Sequence, residues 1–386
     1  MNIELPISKS IANRLLILQA IHRDGLLAVS ADMPDDVQVL HRALATLKTF
    51  RTSKTPSTLH LNVANCGTAM RFLTAYCAQL EGQTSVLDGV ERMHHRPIGQ
   101  LVDALREMGA QIEYLGQEGY PPLRITGCKV DKHRIVTINN PLSTQFVSAL
   151  LLIGANVQTD CTSPYITLTR EMIKNKEQGT KNKDKLLTTD QTQVTNLGSL
   201  VLAPYSEIER DWSSAAFWYE YVALHGGEIT LPGLSRDSLQ GDKIVADIFA
   251  HLGVHTEYTA EGITLSPIAY SEASYSPLSG RPIAAQAASH SKILTQDFGS
   301  CPDLYPAVAL TCERLGIELH ATGVESLPLK ESDRLRAVRE HRTDADHRMA
   351  MALLIAGYKV NDTACISKSY PQFLEQFHRI NTLKLQ

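Results

Sequence analysis

Six times along this 386-residue chain a short polar start runs straight into a stretch that is apolar on nearly every side. Ser8-Lys9-Ser10-Ile11-Ala12-Asn13-Arg14 leads into Leu15-Leu16-Ile17-Leu18-Gln19-Ala20-Ile21, and Asn65-Cys66-Gly67-Thr68-Ala69-Met70-Arg71 into Phe72-Leu73-Thr74-Ala75-Tyr76-Cys77-Ala78. Ser143-Thr144-Gln145 precedes Phe146 to Leu151, and Asp211-Trp212-Ser213-Ser214 precedes Ala215 to Trp218. Pro302-Asp303 stands ahead of Ala307 to Leu310, and Asp346-His347-Arg348 opens Met349 to Ala356. Apolar character all round marks a helix buried on every face. The polar starts suit an anion, because a helix N-terminus carries free N–H groups and the positive end of the dipole. Taken singly, each reads equally well as an ordinary N-cap with solvated cations beside it.

A second recurrence accompanies the first. Arg106-Glu107-Met108-Gly109-Ala110-Gln111-Ile112-Glu113, Ala250-His251-Leu252-Gly253-Val254-His255-Thr256-Glu257 and Glu313-Arg314-Leu315-Gly316-Ile317-Glu318-Leu319 each predict a helix that ends at a glycine and passes at once into a strand. The spacing is irregular and well above solenoid periods. The pattern predicts an α/β protein of two domains, each built from several copies of one helix-strand module.

Other segments read differently. Glu91-Arg92-Met93-His94-His95-Arg96-Pro97-Ile98-Gly99 joins a strand to a helix and concentrates two arginines and two histidines. Adjacent histidines on a loop have poor geometry for a metal ion and read as exposed. Lys174 to Asn196 is rich in Lys, Asn, Gln and Thr and reads as a long surface loop, partly disordered. Thr230-Leu231-Pro232-Gly233-Leu234 reads as a domain junction, and Ser271 to Gly280 as a turn-rich surface segment.

Composition narrows the ligand. A net charge of -4 argues against a general nucleic-acid binder, so any basic cluster is local and suits a small anion better than a polymer. No run of 18 apolar residues suggests a membrane span, and Met1 to Pro6 lacks the plan of a signal peptide. The seven cysteines are scattered without a C-x-x-C pair, which predicts neither disulfides nor zinc and suggests a reducing cytoplasm. In Leu329-Lys330-Glu331-Ser332-Asp333-Arg334, Lys330 and Arg334 share one face if the stretch is helical, with Glu331 beside them. Such a group can hold a phosphate and move a proton; it can also be a solvated face of ion pairs.

Ten blocks in register carry a resemblance over almost the whole chain. They are Ser8-Lys9-Ser10 with Asn13-Arg14, Asn65-x-Gly67-Thr68-Ala69-Met70-Arg71, Arg92-Met93 with Arg96-Pro97-Ile98-Gly99, Ser143-Thr144-Gln145-Phe146 and Pro164-Tyr165. They continue with Gln240-Gly241-Asp242, Pro302-Asp303, Lys330-Glu331-x-Asp333-Arg334, Asp346-His347-Arg348-Met349-Ala350-Met351-Ala352 and Ser367-Lys368. In these the chain resembles the 5-enolpyruvylshikimate-3-phosphate synthase (EPSP synthase) family. It departs from the family at Ile7, Phe72, Thr162, Trp212 and Ser326, and lacks most of the family's first strand.

The resemblance implies an inverse α/β fold of two domains, each with three helix-sheet units: residues 8–232, and residues 1–7 with 233–386. It implies transfer of the enolpyruvyl group of phosphoenolpyruvate to the 5-hydroxyl of shikimate 3-phosphate, with release of phosphate and no metal or organic cofactor. Carried over by position, Asp303 is the base, Glu331 a proton carrier, and Lys9 stands with them at the catalytic centre. Lys9, Ser10, Arg14, Ser143, Thr144, Gln145, Tyr165, Asp303 and Lys330 are expected to hold shikimate 3-phosphate. Lys9, Asn65, Gly67, Arg96, Gln145, Arg334, Arg348 and Lys368 are expected to hold phosphoenolpyruvate. Because these groups come from both domains, a closure that expels water is expected. The expected partners are those two small molecules, with no nucleic acid and no membrane, and the expected state a cytoplasmic monomer. The alternatives are a UDP-N-acetylglucosamine enolpyruvyl transferase, against which Tyr114 to Pro122 holds no cysteine, and a non-catalytic anion-binding relative.

Overall fold

Every one of the six polar starts opens a helix. The computed structural model describes residues 1–22, 25–52, 58–183, 208–268 and 293–383. Among these the helices are α1 (Lys9–His22), α2 (Asp35–Thr52), α3 (Gly67–Ala78), α4 (Gly99–Glu107), α5 (Thr144–Leu152), α6 (Pro164–Lys183), α7 (Trp212–His225), α8 (Val245–Ala250), α9 (Tyr305–Leu315), α10 (Arg334–Glu340), α11 (His347–Ile355) and α12 (Phe373–Leu383). The strands are β1 (Thr58–Asn62), β2 (Thr84–Asp88), β3 (Gln111–Tyr114), β4 (Leu123–Thr126), β5 (Ile135–Thr137), β6 (Asn156–Gln158), β7 (Ile229–Pro232), β8 (Val254–Tyr258), β9 (Gly262–Pro267), β10 (Ile293–Asp297) and β11 (Glu318–Thr322).

Within each compact unit the apolar helices are buried on nearly every side. In one compact unit α1, α3 and α5 touch one another; in the other α7, α9 and α11 do the same. Strands such as β3, β5 and β6 bury alternate residues only, as a sheet with one wet face does. The sheets run β1-β2-β4-β3, β7-β9-β8, β5-β6 and β10-β11, with β1–β2, β5–β6 and β10–β11 parallel. Gly109, Gly253 and Gly316 turn the chain from helix to strand at φ +93°, +89° and +71°, a left-handed region open to glycine at no steric cost. Gly154, at φ +81° between α5 and β6, is a fourth such turn that the sequence pattern did not single out.

The compact units are residues 1–8, 32–34 and 209–386, and residues 9–31 and 35–208. The division therefore falls at 208/209, whereas residue 232 was the expected boundary. The Pro232-Gly233 turn lies within a sheet: β7 pairs with β9, and on its other side Ile3 N donates to Thr230 O at 2.9 Å while Thr230 N donates to Met1 O at 2.8 Å. Residues 209–232 consequently pack with the C-terminal core. The N-terminal segment is also held by α12 and the turn before it. Tyr370 OH and Gln376 Nε2 each donate to Glu4 O at 2.8 Å, Glu4 N donates to Gln376 Oε1 at 2.9 Å, and Arg379 Nη2 donates to Asn2 O at 3.0 Å.

One expected loop is partly helical. α6 covers residues 174–183, because buried Ile166, Leu168 and Met172 anchor its first half and Lys, Glu and Gln continue a helix readily. Residues 184–196 and 271–280 lie outside the described residues.

Glu220 is an exception inside this apolar packing. It is 0% exposed in α7, and neither carboxylate oxygen has a hydrogen-bond partner among the described residues. Burial holds its carboxyl well above the usual range, so the folded chain keeps the proton where the unfolded chain releases it. The resulting stability is complete below the ordinary glutamate pKa and is lost as pH rises toward the folded value. Glu220→Met is therefore expected to raise the thermal midpoint more at about pH 8 than at about pH 5 in calorimetry. Equal shifts at both pH values would rule the ionisation out.

Candidate active site

In the unit that holds the C-terminal half, one guanidinium gathers three acids. Asp333 accepts a hydrogen bond from Arg336 N at 3.1 Å and so caps α10, which begins at Arg334. Lys330 and Glu331 thus precede the helix, on the bend after a short 3₁₀ turn (Leu327–Leu329), and the single helical face expected for Lys330 and Arg334 does not form. Nor is the face solvated: Arg334 is 1% exposed. Its Nε donates to Asp346 at 2.8 Å, its Nη1 to Asp303 at 2.7 Å and its Nη2 to Glu331 at 3.0 Å.

Further cations close round the same acids. Arg348, 2% exposed in α11, donates through Nη2 to the other oxygen of Asp303 at 2.8 Å. Lys330 Nζ lies 3.7 Å from Asp303, and Lys368 Nζ lies 3.7 Å from Glu331. Asp346 also caps α11 by accepting from Arg348 N at 2.9 Å, so the arginine's partner and the helix cap are one side chain. Burial alone would push the Asp303 carboxyl up; Arg348, Lys330 and Arg334 outweigh it and hold the carboxyl well below the usual range. Burial works against the charge on Arg334 too, but Asp346, Asp303 and Glu331 raise its pKa above the ordinary arginine value.

The other unit treats its cations differently. Lys9, the first residue of α1, pairs with Asp36 in the first turn of α2 at 3.0 Å. Arg14 is 2% exposed and is held by neutral groups: Nε donates to Thr169 at 2.7 Å, Nη1 to Ser10 O at 2.8 Å, and Nη2 to Ser148 at 3.2 Å and Tyr165 O at 3.3 Å. The rings of Phe72 and Tyr165 face it at 5.6 and 6.0 Å. No carboxylate pairs with Arg14 among the described residues, and burial lowers its pKa to about 10, which still leaves it charged at neutral pH.

The starts of α3 and α5 meet in this unit. Ser143 caps α5, its Oγ accepting from Gln145 N at 3.3 Å, and Thr144 is the first helical residue. Gln145 reaches α3, where its Oε1 accepts from Arg71 Nη1 at 2.9 Å and its Nε2 donates to Thr68 at 2.9 Å. Arg96 Nη1 donates to Asn65 O at 3.3 Å. A Cβ on Gly67 would lie 2.5 Å from Arg71 Nη1 and 2.7 Å from Arg96 Nη2, so both guanidinium groups converge on the bare face of this glycine. His94, by contrast, pairs with Asp88 at 2.7 Å, and His95 is exposed.

Of the expected site residues, Asp303, Lys330, Glu331, Arg334, Arg348 and Lys368 are joined in one network within their unit. Asn65, Gly67, Arg96 and Gln145 form a second in the other unit, Arg14, Ser10 and Tyr165 a third, and Lys9 stands with Asp36. Sequence reasoning did not single out Asp36, Asp346, Thr68 and Arg71 as partners of these residues. Thr68 and Arg71 stood in a noted block at i, i+3 spacing on α3, Asp346 opened another noted block, and Asp35-Asp36 opens α2 with paired acids, so a signal existed for each. Arg334→Met leaves buried Asp346 and half-buried Asp303 and Glu331 without their shared partner and is expected to cost about 3–5 kcal/mol in urea unfolding, with Arg334→Lys recovering only part of it.

A family model described as EPSP synthase (3-phosphoshikimate 1-carboxyvinyltransferase) matches residues 1–341 and 338–377. A 3-phosphoshikimate 1-carboxyvinyltransferase of Bacteroides fragilis (strain YCH46) is 34% identical over 96% of this chain and 93% of its own length. One of Colwellia psychrerythraea is 28% identical over 98% of this chain and 96% of its own. An EPSP synthase structure from Acinetobacter baumannii shares the fold, with a TM-score of 0.59 at 19% identity over 98% of this chain and 95% of that one. With the family's model matched by residues 1–341 and 338–377 of the chain and a relative 34% identical over 96% of it, the chain belongs to the EPSP synthase family.

Proposed function

We propose that the chain moves the enolpyruvyl group of phosphoenolpyruvate onto the 5-hydroxyl of shikimate 3-phosphate and releases phosphate, the step of the shikimate pathway that leads toward chorismate and the aromatic amino acids. The observation that carries this reading is the pair Asp303 and Glu331, two carboxylates on separate backbone segments tied to one buried arginine. Addition followed by elimination needs protons moved at two different atoms, and two acids fixed apart provide for that.

In the addition, Glu331 delivers a proton to the methylene carbon of phosphoenolpyruvate, which leaves C2 cationic. The 5-hydroxyl attacks C2, and Asp303 takes its proton. In the elimination a proton leaves the new methyl group toward Glu331 and phosphate departs from C2. While Arg348, Lys330 and Arg334 hold Asp303, its depressed pKa makes it a weak base. An arriving phosphate or carboxylate draws on the same cations, which loosens their hold and returns basicity to Asp303 when the hydroxyl is in place.

Arg334, Arg348 and Lys368, with Lys9, Arg96, Gln145, Asn65 and the bare face of Gly67, take phosphoenolpyruvate. Lys9, Ser10, Arg14, Ser143, Thr144, Gln145, Tyr165, Asp303 and Lys330 take shikimate 3-phosphate. Arg14 supports that part of the reading, because a buried guanidinium held only by neutral groups calls for an anionic guest. We place the chain in the cytoplasm as a monomer; among its described residues no helix is long and apolar enough to cross a membrane.

Phosphate release from phosphoenolpyruvate is expected with shikimate 3-phosphate and not with UDP-N-acetylglucosamine. Release with the sugar nucleotide alone, or with neither acceptor, overturns the reading. Asp303→Asn and Glu331→Gln are each expected to lower turnover about 10²-fold or more while phosphoenolpyruvate still binds in calorimetric titration. Near-normal turnover of either variant removes that residue from its role.

A further inference from the structure

Gln145 is held at both ends of its amide by residues that no role has claimed. Arg71 Nη1 stands 2.9 Å from the amide oxygen, and Thr68 Oγ1 stands 2.9 Å from the amide nitrogen. A guanidinium can only donate, so the group facing Arg71 must be the oxygen, and the amide has one permitted orientation. The NH₂ group therefore faces Thr68, whose hydroxyl accepts one of its two hydrogens. Thr68 and Arg71 sit three residues apart near the start of α3 and so present one face to Gln145 on α5. Arg71 is itself buried, with its guanidinium 5.3 Å from the ring of Phe146, so the grip rests on an ordered group.

We infer that Thr68 and Arg71 are positioning residues that lock Gln145 as a hydrogen-bond donor toward the anionic substrates. With the oxygen directed at Arg71 and one N–H directed at Thr68, the second N–H is the group left to meet a phosphate or carboxylate oxygen. A flipped amide would turn its oxygen toward an anion and repel it. The lock prevents the flip, since it would set the NH₂ group against the donors of Arg71. Gly67 completes the arrangement, because a side chain there would strike Arg71 Nη1.

This inference rests on the proposed transferase reading, and the test separates the two. Thr68→Val keeps the shape of the side chain and removes the acceptor. It is expected to lower kcat/KM about 5- to 10-fold, chiefly through KM, the size of one lost hydrogen bond. Thr68→Ser restores the acceptor and is expected to recover most of the loss. In a Gln145→Ala background, Thr68→Val is expected to add nothing, because its effect runs through the missing amide. Undiminished kcat/KM in Thr68→Val overturns the inference, as does an equal further fall in the Gln145→Ala background. Absence of transferase activity in the unaltered chain is a different failure, and it overturns the reading of function instead.

Discussion

A guanidinium almost sealed from water among three carboxylates is the constraint on which the C-terminal half of this chain is built. Bringing such charges together inside a protein gains little net stability, because the loss of hydration nearly cancels the attraction. The worth of Arg334 is therefore geometric. Its planar fork points one nitrogen at each of Asp303, Glu331 and Asp346, which come from three separate segments. Asp346 in turn holds the first turn of α11. A side chain with a single charged point could attract the same acids but could not fix their directions.

The same residue type serves the other unit in the opposite sense. Arg14 is as buried as Arg348, yet its hydrogen bonds run to hydroxyls and carbonyls, so its charge is placed and left uncancelled. One unit thus uses arginines to order acids, and the other holds an arginine charge among neutral groups. This division explains how a chain of net charge -4 can serve polyanionic ligands. Local fields decide binding at close range, and overall charge governs only the longer approach.

The helices were legible because each announces itself within a dozen residues, through a polar start, an apolar run and often a terminal glycine. The grouping of charges was legible where they lie in compact blocks such as Lys330 to Arg334, which share one network. Composition misled at residues 174–183, because the signal that decides for helix there is the apolar first half of α6, several residues upstream. Lys330 was misread because the cap at Asp333 starts the helix later than periodicity alone suggests. Pairs that meet across 27 residues, as Lys9 and Asp36 do, or across 74, as Arg71 and Gln145 do, leave no local trace. Only the packing of one helix start against another brings them together.

The fastening of Glu4 by Tyr370 and Gln376 bears on how the polypeptide is made. Residues 9–31 and 35–208, the second unit, are complete well before α12 is made and can condense on the ribosome without waiting. The unit with the acids cannot, since its opening extended segment, although paired with β7 earlier, gains its ties to Tyr370 and Gln376 only once α12, the last helix described, has been synthesised. Its charged network is likewise complete only once Lys368, the cation beside Glu331 and the last of its members in the chain, has been made.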